Sequence, residues 1–579
     1  MRKDTEATTE SQVMTGAEMV MTALAEHGVR HVFGYPGGAV LPLYDALAKQ
    51  SRVYHTLVSH EQGAVHAAEG YARSTGKVGC VFVTSGPGAT NTVTGLMDAY
   101  ADSIPLVVIA GQVPSSLIGT DAFQECDIVG ITRLCTKHSE QVTDIADLPR
   151  ILHKAFLLAQ SGRPGPVLID IPKDIQNAQG LYRPVQEGSV SGDQSGDAFA
   201  AAIELAVALM MAAERPVFYT GGGVINAGDR ASKLLRELAQ ATGFPVTSTL
   251  MGLGAYPASG AQWLGMLGMH GAYEANKVMH GADLIIAVGA RFDDRVTGRV
   301  DMFAPQAKKI HIDIDPRSIN KIVRVDCGIA SDCATALAAI GISWRNQGGS
   351  ASAQNLKPWW ERIEMWRRER SFSFVNSDTV IKPQYALQRL GHYIRERDAY
   401  VVTDVGQHQM WTAQHIGFEQ PRRLMTSGGL GTMGYGVPAA LGVQTAHPDS
   451  LVVCVSGDGS FQMNSQEMAT ARQENLPIKV VLINNNALGM VRQWQGMYHE
   501  NRFSASKGKG QPDFVKLAEA YGWAGFRCTS PYNLDAALQA LIETPEPCLL
   551  DCVVDADENC FPMIPVGFGH DTMTLGARL

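Results

Sequence analysis

The chain is short of several features that would narrow its class at once. Its ten cysteines include no Cys-x-x-Cys pair, and several lie inside apolar runs. They read as buried free thiols, which fits a reducing compartment better than a disulfide framework. No uninterrupted apolar stretch is long enough to span a bilayer. The opening segment, MRKDTEATTESQ, is polar and contains acids. It lacks the apolar core of a signal peptide and the acid-poor, Arg-rich character of a transit peptide, so a short disordered lead is expected. No Lys/Arg-rich block occurs and the net charge is −9, which argues against nucleic acid as the main partner. Small anionic ligands held locally remain open. No short-period repeat is visible. The expectation is a bacterial-type cytoplasmic protein with neither membrane nor nucleic acid as partner.

What is present is core-forming material in a regular order. With 579 residues, of which 45% are hydrophobic and 18% charged, the chain has room for about three to four domains. Short apolar runs end in Gly, Pro, Asp or Asn, as in VGCVFVTSGPG, SIPLVVIAGQ, GPVLIDIPKD, RPVFYTGGG, ADLIIAVGARFDD, KKIHIDIDP, AYVVTDVGQ, LVVCVSGDG and IKVVLINNN. Such runs suit strands buried on both faces of parallel sheets. Ala-rich periodic segments such as GAEMVMTALAEHG and AAIELAVALMMAAE alternate with them and suit helices. The fold class expected is α/β, with three doubly wound parallel-sheet domains at residues 12–180, 198–346 and 376–560. Aperiodic stretches rich in Gly, Ser and Gln, Gly180–Asp197 and Asn346–Asn355, read as the linkers. The first and third segments could be related units, but their sequence similarity is too weak to carry that.

In such sheets ligands sit beyond the carboxyl ends of strands, where this chain concentrates Gly, Asp and Asn. In LVVCVSGDGSFQMN a buried strand delivers Asp458 between Gly457 and Gly459, with Ser460 opening SFQMNSQEMATARQ, which is expected to be a helix. Glycine permits close approach of a ligand, and a helix N-terminus presents unpaired N–H groups to an anion. The next apolar run ends in Asn485, an amide oxygen. A few oxygen donors completed by phosphate and water suit Mg²⁺. Alone, Gly-Asp-Gly is equally a tight turn; the Asn cluster on the following strand favours a metal-bridged diphosphate.

GDGSFQMN through LINNN resembles the motif of thiamine diphosphate-dependent enzymes. The resemblance implies that Asp458, Asn485 and the carbonyl of Ala487 bind Mg²⁺. VGQHQMW and SGGLGTMGYGVPAA are similar to the same family, which implies Gln407 and His408 at the diphosphate and Gly431 and Met433 beneath the cofactor. GGLGTMG also fits the dinucleotide pattern Gly-x-Gly-x-x-Gly, but no good strand precedes it and no acid follows at the expected distance.

In YHTLVSHEQGAVHAAEGYAR, Glu61 stands between an expected strand and a helix. His60 and His66 do not have the spacing of a zinc motif. A carboxylate that caps the helix is the ordinary reading. The stretch also resembles the family's catalytic-glutamate motif, which implies a carboxyl bonded to N1′ of the aminopyrimidine that promotes proton removal from C2 of the thiazolium. In relatives this glutamate reaches cofactor held by another subunit, so a homodimer or homotetramer is implied.

From about Gly16 onward the chain is most similar to the acetolactate synthase (acetohydroxyacid synthase) family. FGYPGGAVLPLYDAL, TSGPGATN, GQVPSSLIGTDAFQECDIVGITRLCTKH and SGRPGPVLIDIPKD carry that similarity. LGMHGAYEANKVMHGADLIIAVGARFDDRVTGR and IHIDIDPRSINK resemble the family's FAD-binding domain. The resemblance implies flavin contacts from Arg163, Met269, His270, Gly271, Arg291, Asp313, Ile314 and Asp332. Taken singly, the charged ones fit surface or structural ion pairs equally well. It further implies Gly38, Gln124 and Lys173 in catalysis, with Phe123, Arg295 and Trp494 at the substrate and Met490 at the cofactor. Core packing for the apolar members and solvated ion pairs for Lys173 and Arg295 stay open.

The implied activity joins the two-carbon unit of decarboxylated pyruvate to a second pyruvate or to 2-ketobutyrate, for valine, leucine and isoleucine synthesis. The implied cofactors are thiamine diphosphate, Mg²⁺ and FAD, and a separate regulatory small subunit is a further expected partner. Trp494 would favour 2-ketobutyrate as acceptor. A pyruvate oxidase-like enzyme also carries FAD; a glyoxylate carboligase lacks the carboxylate that Glu61 supplies. A non-catalytic nucleotide-binding protein is the alternative outside enzymes.

Overall fold

The computed structural model describes residues 11–183, 196–350, 355–508 and 510–576. Among them are three parallel six-stranded sheets and one two-stranded antiparallel ribbon. The first sheet runs Tyr54–Leu57, His31–Tyr35, Gly79–Val83, Leu106–Gln112, Pro166–Pro172, His138–Gln141. The central sheet runs Trp263–Met266, Val246–Ser248, Pro216–Thr220, Leu284–Val288, Lys308–Asp313, Cys327–Ala330. The last runs Leu424–Met425, Ala399–Thr403, Leu451–Gly457, Lys479–Asn484, Cys548–Val553, Ala524–Cys528. Inner strands such as Gly79–Val83, Leu106–Gln112 and Leu284–Val288 are buried at every residue, as continuous apolar runs require.

Numbered in chain order, the strands of the first and last sheets both run 2-1-3-4-6-5, and those of the central sheet run 3-2-1-4-5-6. The first and third segments therefore share a topology that their sequences do not display. Each order reverses direction beside its first strand, and that switch point opens a crevice at the carboxyl ends. The strand ends at the three switch points carry Gly37–Gly38 and Thr84, Gly221–Gly223 and Gly289, and Gly406–His408 and Gly457–Asp458.

The chain divides into two compact units. One holds residues 11–183 with Gly429–Pro448 and Asn464–Leu476; the other holds the remaining described residues, including the central and last sheets. Within the first unit the helix Glu61–Thr75 packs on the helix Gly436–Ala446. Gly70 faces the Ala439 carbonyl and Gly442 faces the Ala67 carbonyl, so closely that neither position has room for a side chain.

Three expectations need correction. Gly180–Asp197 is a linker only in part. Gln179–Tyr182 pairs antiparallel with Gln12–Thr15, and Asp197 opens the helix Asp197–Ala212. Residues 184–195 lie outside the described set, as do residues 351–354 of the second linker and residues 1–10 of the lead. Asn346 ends the helix Cys333–Asn346 rather than beginning a linker. SFQMNSQEMATARQ is not one helix: it contributes to Asp458–Phe461 and then to Glu467–Gln473. Turn residues 462–466 separate the two, and among them the Asn464 side-chain N–H donates to the Gly434 carbonyl at 2.7 Å. Nine of the ten cysteines are buried and all are free.

Candidate active site

In the first unit, Gly38, Glu61 and Lys173 follow the carboxyl ends of strands of one parallel sheet, and Gln124 lies in the connection that follows Leu106–Gln112. Glu61 is the first residue of the helix after Tyr54–Leu57, and it is buried. It does not cap that helix. His60 does so, its Nδ1 accepting the Gln62 N–H at 3.1 Å. Glu61 Oε2 instead accepts the Asn91 side-chain N–H at 2.9 Å. A Cβ at Gly88 would sit 3.3 Å from Glu61 Oε1, so glycine leaves that oxygen clear. Gly38 follows His31–Tyr35 and faces open space, whereas a Cβ at Gly37 would meet the Thr84 side chain at 2.5 Å. Gly86 has φ +57 and lies against the Gln124 backbone. Gln124 itself has φ 62, the left-handed region that costs most residues free energy. Lys173 follows the strand Pro166–Pro172 and is half-buried, with no carboxylate in ion-pair range among the described residues. Phe123 is 88% exposed, which rules out a core-packing role within this chain.

Two further expected residues belong to this unit. Gly431 has φ 75, and Met433 is half-buried. Arg163 lies at the opposite, amino end of Pro166–Pro172. There it donates to Ser103 Oγ at 2.7 Å and to the Ala101 carbonyl at 3.1 Å, near the end of the helix Val93–Asp102.

The second unit assembles the oxygen cluster. Gly457 and Ile483 are register partners on adjacent strands, so Asp458 and Asn485 leave the sheet side by side. Burial pushes the Asp458 carboxyl up to about 6, against backbone N–H groups of Asn485 and Ala487 that hold it down. Gln511 donates to its Oδ2 at 2.6 Å. No Lys or Arg reaches it among the described residues. Asn485 donates to Gln407 Oε1 at 3.1 Å, and Gln407 donates in turn to Gln493 at 2.9 Å. This leaves the Asn485 oxygen to accept only the weak 3.2 Å bond from the Ala487 N–H. His408 is buried against Gly406 and Gly457, and burial drives its pKa down to about 3, so the ring is neutral. Its Nε2 has no hydrogen-bond partner among the described residues. A buried carboxylate without a cation, an amide oxygen with one weak bond on the neighbouring strand end, and an orphaned imidazole nitrogen together fit a hard divalent cation carrying an anionic ligand. Ser460 is buried beyond Gly459.

Met490 and Trp494 share the helix Gly489–Tyr498. Both are half-buried, Trp494 stands edge-on to Tyr498, and its indole N–H has no partner among the described residues. Met490 packs partly on the core, so the core-packing reading applies to part of its surface.

On the central sheet Asp313 ends the strand Lys308–Asp313, while Arg291 and Asp332 follow the strands on either side of it. Asp332 caps the next helix, accepting the Ala334 N–H at 2.8 Å. Asp313 accepts the Asp315 N–H at 2.8 Å, and Ile314 beside it is exposed. The turn holding Met269, His270 and Gly271 follows the edge strand Trp263–Met266. His270 is kept neutral by burial, near 4, and faces the Pro562 carbonyl at 3.2 Å. The Met269 N–H bonds the Arg295 carbonyl at 2.7 Å, while the Arg295 side chain is largely exposed. Sequence reasoning did not single out Asn91, Gln511 or the Gly221–Gly223 turn as site residues. Gly221 and Gly223 both press on Gly289, whose φ is +58, and the run of three glycines after a strand was the available signal. Asn91 sits in the quoted string TSGPGATN, but nothing local marks it as the partner of Glu61. Gln511 carries no local signal.

Comparison with known proteins accounts for all three sheets. Family models of the thiamine pyrophosphate enzymes match residues 14–131 (N-terminal TPP binding domain), 203–340 (central domain) and 404–552 (C-terminal TPP binding domain). The acetolactate synthase isozyme 3 large subunit of Escherichia coli is 49% identical, covering 97% of this chain and 99% of its own. The isozyme 2 large subunit of the same organism is 46% identical over 97% of this chain and 99% of its own. An acetolactate synthase of Mycobacterium bovis is 47% identical over 97% and 91%. By identity sustained across nearly its whole length, the chain belongs to the acetolactate synthase large-subunit family of thiamine pyrophosphate enzymes.

Proposed function

We infer that this chain is an acetolactate synthase catalytic subunit. It decarboxylates pyruvate and ligates the remaining two-carbon unit to pyruvate or 2-ketobutyrate, giving 2-acetolactate or 2-aceto-2-hydroxybutyrate for branched-chain amino-acid synthesis. The observation that carries this reading is Glu61, a buried carboxyl with one oxygen tied to Asn91 and the other left clear by Gly88. That arrangement suits a proton donor and acceptor for one heterocyclic nitrogen.

Thiamine diphosphate, when bound, supplies the electron sink that stabilises negative charge as CO₂ departs. The segment 376–560 would hold its diphosphate through Mg²⁺ on Asp458, Asn485 and the Ala487 carbonyl, with Gln407 and His408 at the phosphates. The segment 12–180 contributes Glu61, whose carboxyl would hold or move a proton at N1′ of the aminopyrimidine. The segment 198–346 takes FAD. The 3-2-1-4-5-6 order and the glycine-lined crevice support dinucleotide binding there, with Arg291 and Asp313 at strand ends. Since no net oxidation occurs, the flavin is structural.

Lys173 and Arg295 offer cations to 2-ketoacid carboxylates, and Trp494 offers a flat apolar wall to the acceptor. Phe123, exposed in this chain, suits a homodimer or homotetramer in which a second copy covers it. A regulatory small subunit is a further partner. No helix among the described residues is long and apolar enough to cross a membrane, and a cytoplasmic site of action fits.

The purified chain with pyruvate, Mg²⁺, thiamine diphosphate and FAD is expected to form acetolactate. Acetaldehyde as the sole product, or oxygen consumption matched to pyruvate loss, would overturn the ligase reading. A colourless purified protein that gains no activity from FAD would overturn the flavin assignment.

A further inference from the structure

The turn that presents Glu61 is fastened by a residue 406 positions further along the chain (467 − 61). Glu467 is fully buried, and its carboxylate faces the backbone just before Glu61. Oε1 accepts the Ser59 N–H at 3.1 Å and the His60 N–H at 3.1 Å. Oε2 accepts the Ser59 N–H at 3.2 Å and the Thr470 hydroxyl at 2.7 Å. Ser59 Oγ adds a bond to the Gln466 carbonyl at 3.2 Å. We propose that Glu467 is a positioning residue for Glu61, holding the strand-to-helix turn so that the Glu61 carboxyl meets its partner in one fixed place.

Three features support a positioning role over ordinary packing. The first concerns the backbone donors. The opening N–H groups of a helix have no partner inside it, and a loose first turn would let the residue at its start wander. Here His60 caps Gln62 while Glu467 takes Ser59 and His60, so the donors on both sides of Glu61 are committed. The second is Gly63. A Cβ there would stand 2.5 Å from Glu467 Oε1, so the helix carries glycine where the carboxylate must approach. The third is cost. Glu467 has no Lys or Arg in ion-pair range among the described residues, and burial lifts its carboxyl to about 7. An apolar side chain would fill the same space at lower cost. What it could not do is accept two backbone N–H groups.

The proposal rests on the reading of Glu61 as the proton-handling group, and its test separates the two. Glu467→Leu keeps the volume and removes the acceptor; Glu467→Gln keeps one acceptor oxygen for the two N–H groups. In Glu467→Leu, kcat is expected to fall by about tenfold or more, with KM for pyruvate within about threefold. In the cofactor-free protein, amide hydrogen exchange at Ser59 and His60 is expected to accelerate by about tenfold. Glu467→Gln is expected to stay within about threefold of the parent in both measurements. Glu467→Leu with parental kcat, or with parental exchange at Ser59 and His60, would overturn the proposal. If that variant does not fold, Glu467→Asp, which withdraws the carboxylate by one methylene, is held to the same criteria. Glu61→Gln run alongside distinguishes the claims. Its parental turnover would remove the role of Glu61. A dead Glu61→Gln beside a fully active Glu467→Leu overturns the positioning role alone.

Discussion

Asn91 donates its side-chain N–H to Glu61 Oε2 at 2.9 Å, across 30 residues of sequence. The bond selects which carboxylate oxygen stays available and fixes the side-chain rotamer. Asn91→Ala is therefore expected to lower kcat by about tenfold and to cost about 1–3 kcal/mol of stability, because Glu61 Oε2 is left buried without its partner. Asn91→Asp places a second carboxyl against the first and is expected to be worse than alanine at neutral pH. Steady-state kinetics at saturating pyruvate measure both. Full activity in Asn91→Ala would show that burial alone orients Glu61.

Asp458 gives a prediction with a definite sign. In the folded chain its carboxyl releases its proton near pH 6, against 3.8 for an ordinary aspartate. The folded state thus binds more protons than the unfolded one between those values, so this group's contribution to stability declines as pH rises through that window. Cofactor-free Asp458→Asn is expected to match the parent at pH 4. Above pH 6 it is expected to exceed the parent by about 1–3 kcal/mol, less whatever its amide loses against the N–H groups of Asn485 and Ala487. Its Mg²⁺ requirement should rise by about tenfold or more. In the parent, Mg²⁺ affinity is expected to weaken as pH falls below 6, because a proton competes for the same oxygens. Urea melts and Mg²⁺ titrations across pH 4–8 measure both halves. A variant less stable than the parent at pH 7 would contradict the burial argument.

How much of this was legible beforehand follows from what each feature depends on. Apolar runs ending in Gly, Asp or Asn located the strands and their carboxyl ends, because burial on both faces leaves a continuous signature. Asp458 and Asn485 were legible as a pair because each closes such a run and the runs are consecutive. The shared strand order of the first and last sheets was not legible, since order depends on crossovers and not on composition. Nor was the bond between Asn91 and Glu61, which depends on tertiary placement. The long helix expected after Asp458 is two helices separated by turn residues 462–466, where Asn464 serves a distant carbonyl, a tertiary contact that leaves no local signal. For Asp332 the resemblance implies a flavin contact, and the structure gives its carboxylate a helix to cap, a role that depends on where the next helix starts.

Gly442 and Gly70 set the closest packing in the first unit. The helix Gly436–Ala446 lies so near Glu61–Thr75 that a methyl group at Gly442 would overlap the Ala67 carbonyl, and one at Gly70 would overlap that of Ala439. The obstacles are backbone atoms, which cannot rotate away. Alanine normally favours a helix over glycine by roughly 1 kcal/mol. Here Gly442→Ala is expected to destabilise by about 2–4 kcal/mol, reversing the sign of the propensity effect. Denaturant unfolding measures it, and a neutral or stabilising result would mean the two helices can separate at little cost.

Under the proposed function, Trp494 is the residue that distinguishes the two acceptors. Its ring is half-buried, held edge-on to Tyr498 at a centroid distance of 5.9 Å, and carries an indole N–H with no partner among the described residues. A residue kept only for the core would be expected to lie deeper and to satisfy that N–H. 2-Ketobutyrate exceeds pyruvate by one methylene, and an apolar wall rewards one methylene by about 1–3 kcal/mol. Trp494→Leu lowers that wall and Trp494→Ala removes it. The ratio of 2-aceto-2-hydroxybutyrate to acetolactate from equal acceptor concentrations is expected to fall by about tenfold in Trp494→Ala and by less in Trp494→Leu. Pyruvate decarboxylation in the absence of 2-ketobutyrate should change much less, because the donor need not touch the wall. An unchanged product ratio with intact turnover would remove Trp494 from the acceptor site and return it to the packing of its own helix.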